Sequence, residues 1–460
     1  MKAFQTISPV DGSVYVERTY ATEKEVDSAL DKASQAQRGW RETSVEDRAG
    51  YCAKAIEYFQ ENVSEIAEEL TWQMGRPIRY TPLEVKGGFR ERALHMIKIA
   101  SDALADVQVT SPNDFRKFIR KEPLGTVLIL SPWNYPYLTS VNVIIPALMS
   151  GNTVILKHSE QTPLCAERYA AAFEYAGLPD GVFQYLHISN DQVRGIIHDP
   201  RIAQVSFTGS VEGGKAIQKA VGERFISAGL ELGGKDPAYV RHDAKLSHAV
   251  ENLVDGAFFN SGQSCCGIER IYVHETLFKA FVDGFIDLTR QYVVGDPTVQ
   301  ETTLGPMVRG KAAERAQKFI DGALARGARA LIGDSDFPTV APPYFNPQVL
   351  IDTDHSMEVM IEECFAPIAA IMPVRDDEEA IRLMNDSRYG LTASIWTEDE
   401  ERAIAIGDRT EAGTWYMNRC DYLDPALAWT GVKNSGKGCT LSALGYEQLT
   451  RPKSYHLKLV

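Results

Sequence analysis

Three residues of this sequence have types that could together carry out covalent chemistry on a carbonyl group. Cys265 follows a tight Gly-Gln turn in the segment 260–266, and a cysteine thiolate is an intrinsically strong nucleophile. Glu231 is followed by Leu-Gly-Gly-Lys and could serve as a general base for water. Asn134, in the run Ser-Pro-Trp-Asn-Tyr-Pro, could donate to a developing oxyanion. Such a set could form an acyl-enzyme and then hydrolyse it.

Each of these residues also has a simpler interpretation when it is read alone. A cysteine is more often a small buried hydrophobic residue than a nucleophile. Glu231 could form a surface salt bridge, and Asn134 could cap the helix that follows it. Cys266 cannot point in the same direction as Cys265, and a disulfide between the two would be strained. The chemical interpretation therefore requires that the three residues meet in space.

Two further segments have residue types suited to a nucleotide. Gly209 and Ser210 follow a predicted strand and open a helix, so this segment could bind a phosphate at the helix N-terminus. Lys157 and Glu160 come just after another predicted strand, where an acidic residue could accept hydrogen bonds from a ribose diol. A capped helix and a solvated charge pair are the simpler alternatives.

The elements that must position these residues follow an alternating pattern from residue 125 onward. Apolar runs at 125–130, 152–157, 183–186 and 205–207 predict strands, and 162–176 predicts a helix between two of them. This alternation indicates a parallel sheet with helices on both faces. Ligands of such sheets bind at the carboxyl ends of the strands. Segments 131–134, 157–160 and 208–210 should therefore lie along one rim.

The remaining segments predict a second α/β unit and two isolated strands. Strands are expected at 238–240, 271–273, 367–372 and 392–396, which would leave Glu231 near the junction of the two units. Helical patterns cover 22–75 and 85–105. The segments 115–121 and 453–459 mix polar and apolar positions, and a lone strand must pair with something. We expect these two segments to share a sheet at a subunit interface.

Composition limits the class of protein. The chain has 460 residues, 44% hydrophobic and 24% charged, with a formal net charge of −14, which indicates a soluble globular protein without nucleic acid or an anionic membrane as main partner. Its seven cysteines and nine histidines show no metal-ligand spacing, so no metal site is predicted. Free thiols and the lack of an apolar signal core favour a cytoplasmic location.

Taken together, these motifs make the sequence resemble the aldehyde dehydrogenase superfamily essentially from end to end. The motifs that carry the resemblance are Pro-Trp-Asn-Tyr-Pro at 132–136, Gly-Asn-Thr-Val-Ile-Leu-Lys at 151–157, Phe-Thr-Gly-Ser at 207–210, Glu-Leu-Gly-Gly-Lys at 231–235, Asn-x-Gly-Gln-x-Cys at 260–265, Glu-Glu-Cys-Phe-Ala-Pro at 362–367 and Ser-Gly-Lys-Gly at 435–438.

The resemblance implies an α/β fold with two doubly wound Rossmann-like domains and a small β oligomerisation element. An NAD-binding domain would comprise residues 1–104 and 124–233, and a catalytic domain residues 234–446. Residues 105–123 and 447–460 would supply the oligomerisation strands. A homodimer or homotetramer is then expected.

The resemblance also implies a mechanism, the NAD-dependent oxidation of an aldehyde to a carboxylic acid. Cys265 would attack the aldehyde, while Asn134 and the Cys265 backbone N–H hold the thiohemiacetal oxyanion. After hydride transfer to the nicotinamide, Glu231 would activate the water that hydrolyses the thioester.

NAD is favoured over NADP, because Glu160 would repel a 2′-phosphate. The implied cofactor-binding residues are Trp133 near the nicotinamide, Gly209 and Ser210 at the pyrophosphate, Lys157 and Glu160 at the adenosine ribose, and Glu363 at the nicotinamide ribose with Phe365 beside it.

The sequence departs from the family pattern at two positions near this site. Many members carry a lysine where this chain has Val143, and an Arg-Glu pair where it has Cys439-Thr440. Because the family's lysine and glutamate contact each other, their joint absence indicates one lost interaction.

The substrate is expected to be a small-to-medium aldehyde with some polar or aromatic character. Four residues are predicted to line its tunnel, and Tyr422 and Trp429 to close the far end. A surface role is favoured for Arg90 and Arg92, although either could reach a substrate carboxylate. The four predicted substrate-binding residues are Tyr135, Thr139, Asn142 and Phe259.

Three other functions are less consistent with the sequence. A CoA-acylating dehydrogenase would transfer the acyl group to a thiol, and Glu231 argues against it because such members tend to lack this base. A non-catalytic relative that keeps the fold is disfavoured by the intact Cys265, Glu231 and Asn134. A cysteine protease is excluded because no histidine lies in a motif suited to activating Cys265.

Overall fold

The computed structural model describes residues 2–333 and 335–460. Its strands, in chain order, are β1 (Ala3–Ile7), β2 (Val14–Thr19), β3 (Val107–Gln108), β4 (Phe115–Pro123), β5 (Thr126–Ser131), β6 (Thr153–His158), β7 (Phe183–Tyr185), β8 (Ile202–Thr208), β9 (Ser227–Glu231), β10 (Asp236–Val240), β11 (Ile268–His274), β12 (Arg329–Ala330), β13 (Gln348–Ile351), β14 (Ile368–Val374), β15 (Thr392–Trp396), β16 (Thr414–Met417), β17 (Gly436–Lys437) and β18 (Thr450–Lys458).

The α-helices are α1 (Glu23–Trp40), α2 (Val45–Glu61), α3 (Val63–Met74), α4 (Thr81–Leu83), α5 (Arg90–Ala103), α6 (Pro136–Met149), α7 (Pro163–Tyr175), α8 (Asn190–His198), α9 (Val211–Val221), α10 (Leu246–Phe258), α11 (Glu275–Thr289), α12 (Gly310–Leu324), α13 (Glu358–Ile361), α14 (Asp377–Asn385), α15 (Glu400–Gly407) and α16 (Ser442–Glu447). A π-helical turn (Glu84–Phe89) leads into α5, and 3₁₀ turns span Phe259–Gly262 and Lys433–Ser435.

The first large sheet is the six-stranded sheet that carries Glu231. Its strand order is β17-β9-β8-β5-β6-β7, and all neighbours are parallel except β17, which runs antiparallel to β9. Every residue of β5 is buried, because helices cover both faces of the sheet and a parallel strand then has no polar side. This explains the unbroken apolar run that predicted the strand.

The second large sheet contains β11, the strand that follows Cys265 in the chain. Its order is β12-β13-β14-β11-β10-β15-β16, and only the β12–β13 pair is antiparallel. Both large sheets have apolar layers on either side. The α/β class with two doubly wound units is therefore confirmed. The short strand β17 comes from the chain segment assigned to the second unit but pairs with Glu231 at the edge of the first.

A three-stranded sheet joins the two segments that the sequence left as isolated strands. Strand β18 pairs antiparallel with β4 along nine residues, from Thr450 opposite Pro123 to Lys458 opposite Phe115, and β3 pairs with the other side of β4. Tyr455 stacks on Phe118 across the pair, with ring centroids 4.4 Å apart. The outer strand β18 is mostly exposed, so its free edge is open to another strand.

The predicted strands of the core are confirmed with small shifts at their ends, but several elements were not anticipated. The β1–β2 hairpin, β9, β13 and β16 had no strong signal in the sequence. Strand β9 reads Ser-Ala-Gly-Leu-Glu, which lacks the β-branched residues typical of strands. It forms because β8 and β17 supply partners on both sides.

Candidate active site

Cys265 lies in a loop between the 3₁₀ turn Phe259–Gly262 and strand β11. Asn260 and Ser261 have φ values of 54° and 56°, and Gly262 has φ 65°. A side chain at Gly262 would collide with the backbone of Ala366, so glycine is required there. The Asn260 side chain donates to the Gln263 carbonyl at 3.2 Å. This turn holds Cys265 partly exposed, with its thiol free.

Cys266, the neighbouring thiol, has a carboxylate partner. Its thiol is buried and donates a hydrogen bond to Oδ1 of Asp421 at 2.9 Å. The neighbouring Cys265 and burial raise the pKa of Cys266 well above its usual value. Burial also raises the pKa of Asp421 to about 7. Cys266 is therefore held as a neutral thiol, and Cys265 is the better placed nucleophile of the pair.

Asn134 lies in the loop between β5 and α6 and contacts the nucleophile loop directly. Its Nδ2 donates to the Gln263 carbonyl at 3.2 Å, and its own carbonyl accepts from Nδ2 of Asn260 at 3.2 Å. Asn134 is 5% exposed. The side-chain amide that the sequence proposed as an oxyanion donor is thus fixed against the loop that carries Cys265.

A buried ion pair that the sequence analysis missed holds Asn134 in place. Arg76 is 2% exposed and Glu84 4% exposed, and the two form a salt bridge. Arg76 also donates to the Asn134 carbonyl and to Oδ1 of Asn260. Glu84 Oε1 accepts the backbone N–H groups of Tyr137 and Leu138 at 2.8 and 3.2 Å. The pair therefore joins the first turn of α6 to the nucleophile loop.

Glu231 ends strand β9, and its carboxylate has two threonine partners. Thr440 donates to Oε1, and Thr208 donates to Oε2 at 3.2 Å. Burial raises the pKa of Glu231 above its usual value, while the two hydroxyl donors act in the opposite direction. Val143 and Thr440 line the same small space of about 20 Å³ beside Glu231. The two departures from the family pattern thus lie next to each other.

Two cavities meet at Cys265 and Glu231. One has a volume of about 330 Å³ and the other about 230 Å³. They share five lining residues: Thr139, Thr208, Glu231, Cys265 and Trp429. A thiol and a carboxylate at the junction of two separate cavities are suited to chemistry between two bound molecules.

The smaller cavity contains five of the seven residues predicted to bind the cofactor. The Trp133 and Phe365 rings meet edge to face with centroids 5.8 Å apart. Glu363 accepts the backbone N–H of Gly234 at 3.2 Å, and burial raises the pKa of Glu363 to about 8. A side chain at Gly233 would collide with the Glu363 carboxylate. The five residues are Trp133, Gly209, Ser210, Glu363 and Phe365.

These groups fit a dinucleotide. The Ser210 hydroxyl caps α9 by accepting the backbone N–H of Gly213 at 3.1 Å. Since Ser210 lines the cavity, the N-terminus of α9 lies at the cavity wall. A helix N-terminus suits a pyrophosphate. The Glu363 carboxylate suits a ribose diol. The aromatic rings of Trp133 and Phe365 suit a nicotinamide.

The other two predicted cofactor residues lie outside this cavity, near the end of β6. Glu160 accepts the Tyr20 hydroxyl at 2.7 Å and lines a different cavity of about 520 Å³ with Gln161 and Arg309. Lys157 is partly buried, and burial lowers its pKa. The structure therefore places Lys157 and Glu160 at the predicted sheet edge but does not bring them to the cavity that holds Cys265.

The larger cavity contains all four residues predicted to contact the substrate. Thr139 and Asn142 lie on α6, Tyr135 is the residue just before that helix, and Phe259 begins the 3₁₀ turn. Tyr422 and Trp429 also line it. The favoured surface role is wrong for Arg92, which lines this cavity and is 7% exposed. Arg90, two residues earlier, is exposed as expected.

Within residues 2–333 and 335–460, no group of three or more His, Cys, Asp and Glu side chains is arranged to hold a metal ion. In the same residues, no helix is both long and apolar enough to cross a membrane.

Comparison with known proteins identifies the family. The model of the aldehyde dehydrogenase family matches residues 1–455. The chain belongs to the aldehyde dehydrogenase family. The predicted resemblance is thereby confirmed, and so is the prediction that the chain is an NAD(P)-dependent aldehyde dehydrogenase.

Individual members of the family cover almost the whole chain. An aldehyde dehydrogenase of Paenarthrobacter nicotinovorans is 34% identical over 98% of this chain and 99% of its own length. Succinate semialdehyde dehydrogenase Sad of Escherichia coli, named for NAD(P)+, is 34% identical over 96% of this chain and 95% of its own. The structure of succinic semialdehyde dehydrogenase from Streptococcus pyogenes with NADP+ has a TM-score of 0.94 at 27% identity, covering 99% of this chain and 100% of that one.

These comparisons do not support the prediction that NADP is the less favoured cofactor. The Streptococcus pyogenes enzyme was solved with NADP+, and the Escherichia coli relative is named for both cofactors. Glu160 alone is thus a weak argument for NAD, in particular because its carboxylate is already engaged by Tyr20.

Proposed function

We propose that this protein oxidises an aldehyde to a carboxylic acid with NAD(P) through a covalent intermediate on Cys265. The observation that carries the proposal is the junction of two cavities at Cys265 and Glu231. The aldehyde enters the larger cavity, and the smaller cavity holds the nicotinamide end of the cofactor. When bound, the cofactor accepts a hydride.

The first step uses the thiol and the oxyanion donors. The Cys265 thiol loses its proton to solvent and its sulfur attacks the carbonyl carbon. A C–S bond forms, the carbonyl π bond breaks, and the carbonyl oxygen becomes an oxyanion. The Asn134 amide, which lies against the nucleophile loop, and the Cys265 backbone N–H donate to this oxyanion. Donors fixed before the reaction stabilise the charge without reorganisation. Loss of the hydride then restores the C=O bond and leaves a thioester.

The second step uses Glu231 as the base. Its carboxylate takes a proton from water, the water oxygen attacks the thioester carbon, and the C–S bond breaks to release the acid and the Cys265 thiolate. A base works best when its pKa lies near the working pH, and burial raises the pKa of Glu231 in that direction. A base at this position favours hydrolysis of the thioester over acyl transfer to CoA, the reaction of the CoA-acylating dehydrogenases.

Each segment of the chain has its own role in the proposed enzyme. Residues 1–104 and 124–233 would bind the cofactor, 234–446 would supply the catalytic domain, and 105–123 with 447–460 would form the oligomerisation strands. The exposed nine-residue strand β18 supports a homodimer or homotetramer, since its free edge can pair with a second copy. Sedimentation of the purified protein tests this assembly.

The direct test is NAD(P)H formation over an aldehyde panel that contains carboxylated, amino and neutral members. Two of the relatives named above act on succinate semialdehyde by name, so that compound belongs in the panel. Wild type should reduce NAD or NADP without CoA. Cys265→Ala should lower kcat by roughly 10³-fold or more, and Glu231→Gln by about 10²–10⁴-fold. Full activity of Cys265→Ala, or strict dependence on CoA, would contradict the proposal.

A further inference from the structure

Arg92 is a buried cation without a counter-ion in the wall of the larger cavity. It is 7% exposed, and within the described part of the chain its guanidinium forms no salt bridge with a carboxylate and has only a carbonyl and an amide oxygen as partners. Its Nη1 donates to the Leu138 carbonyl at 2.8 Å and to Oδ1 of Asn142 at 3.4 Å. Its Nε is buried and makes no hydrogen bond there. Buried charges are normally paired with an opposite charge. The guanidinium of Arg92 is therefore unusual, because it lacks an ion-pair partner in the described residues.

Asn142 adds a second donor at the same place. It is 1% exposed and lines the same cavity. Its Oδ1 faces Arg92, and its Nδ2 has no hydrogen-bond partner in residues 2–333 and 335–460. An unpaired guanidinium and an unpaired amide N–H in one cavity wall match the acceptor oxygens of a carboxylate.

The acidic residues of this cavity could instead favour a cationic substrate, but they are better satisfied than Arg92. Asp421 accepts the thiol of Cys266 and the hydroxyl of Ser264. Glu91 accepts the Tyr422 hydroxyl at 2.8 Å, and Asp255 is exposed. Glu231, the fourth acidic residue of this cavity, accepts the hydroxyls of Thr208 and Thr440. Among the charged side chains that line the cavity, Arg92 alone has a buried polar atom without a hydrogen-bond partner in the described residues. The cavity therefore favours an anion next to Arg92.

We propose that Arg92 and Asn142 form an anion subsite that binds a carboxylate at the end of the substrate remote from the aldehyde. This assignment rests on the proposed function, in which the aldehyde carbon lies at Cys265. Arg92 donates through its free N–H groups, and Asn142 donates through Nδ2. The substrate class is then an aldehyde that carries a second, ionised carboxyl group.

Arg92 could also act on the reaction itself, because its charge favours the ionised form of Glu231. The two roles differ in what they change. An electrostatic effect on Glu231 would alter kcat and its pH profile for every aldehyde. A carboxylate subsite changes KM, and it does so for carboxylated aldehydes only.

The test compares kcat/KM for three ω-substituted aldehydes of equal chain length, ending in a carboxylate, a carboxamide or an amine. The enzymes are wild type, Arg92→Gln, Arg92→Lys, Asn142→Asp and the matched control Arg90→Gln. Arg90 lies on the same helix but is exposed. Wild type should prefer the carboxylate over the amide.

Arg92→Gln should lower the ratio of kcat/KM for carboxylate over amide by about 10- to 100-fold, mainly through KM, as expected for a lost hydrogen bond between charged groups. Arg92→Lys should recover part of the ratio, and Arg90→Gln should keep it. Asn142→Asp should lower it, because a second carboxylate repels the first. Asn142→Asp gives an independent result if Arg92→Gln does not fold.

The proposal is overturned if wild type does not prefer the carboxylate, or if it prefers the amine. It is also overturned if Arg92→Gln lowers kcat equally for all three aldehydes, which would assign the residue to Glu231. Failure of wild type to oxidise any aldehyde would refute the proposed function instead.

Discussion

Thr440 donates its hydroxyl to Oε1 of Glu231, and Val143 lies beside the pair. Many family members have a lysine and a glutamate that contact each other at these two positions. This chain has a neutral hydrogen bond from Thr440 to Glu231 instead. A neutral donor stabilises the ionised carboxylate less than a cation would, so burial remains the largest influence on the pKa of Glu231 and raises it.

Thr440→Val should raise the pKa of Glu231 further, because it removes a donor that favours the ionised form. A protonated Glu231 cannot take a proton from water, so the acidic limb of the kcat profile should move to higher pH. The profile is measured with saturating aldehyde and cofactor. Thr208→Val should move the limb in the same direction, and an unchanged limb in both variants would argue against Glu231 as the base.

Arg76→Met should destabilise the protein strongly, since it leaves Glu84 as an unpaired buried charge. The expected cost in the free energy of unfolding is about 3–5 kcal/mol. Arg194→Met, an exposed arginine on α8, is the matched control and should cost no more than about 0.5 kcal/mol. Denaturant unfolding measures both. Equal costs in the two variants would show that the Arg76–Glu84 pair does not support Asn134.

Replacing both partners tests how the pair acts. The double variant Arg76→Met with Glu84→Met removes the unpaired charge, so its cost should be smaller than the sum of the single costs. Its activity should nevertheless stay low, because Asn134 and Asn260 then lose the guanidinium that bridges them and keep only their direct hydrogen bonds. Recovery of full activity in the double variant would contradict the positioning role.

Glu160→Gln should raise the ratio of kcat/KM for NADP over NAD if Glu160 lies at the adenosine ribose. The amide keeps an acceptor for the Tyr20 hydroxyl and removes the charge that would repel a 2′-phosphate. Initial rates with both cofactors give the ratio for each protein. A ratio that does not change would place the choice of cofactor on other residues.

The residues of the proposed chemistry were easier to predict from the sequence than the groups that hold them. Cys265, Glu231 and Asn134 stand in motifs with Gly, Pro and Asn at fixed spacing, and these reflect local backbone needs such as the positive φ of Gly262. The Arg76–Glu84 pair has no such local signature. Arg76 and Glu84 are eight residues apart in the chain. Their partners Asn134, Asn260 and Tyr137 come from distant segments that meet them only in the folded protein.

The burial of Arg92 could have been foreseen from helical periodicity. Arg92, Met96 and Ala100 are spaced four residues apart on α5, and all three are buried. An arginine on the apolar face of a helix signals a special environment. The charge of Arg92 alone predicts a surface position, as for Arg90, whereas its place on the apolar face of α5 predicts burial.

The most direct test of the central claim is to trap the intermediate on Glu231→Gln. This variant keeps the thiol but lacks the base, so mixing it with an oxidisable aldehyde and NAD(P) should accumulate the thioester. Acid quenching, proteolysis and mass spectrometry should then find the acyl group on Cys265 and not on Cys266. An acyl group on Cys266, or rapid turnover without any adduct, would contradict the account.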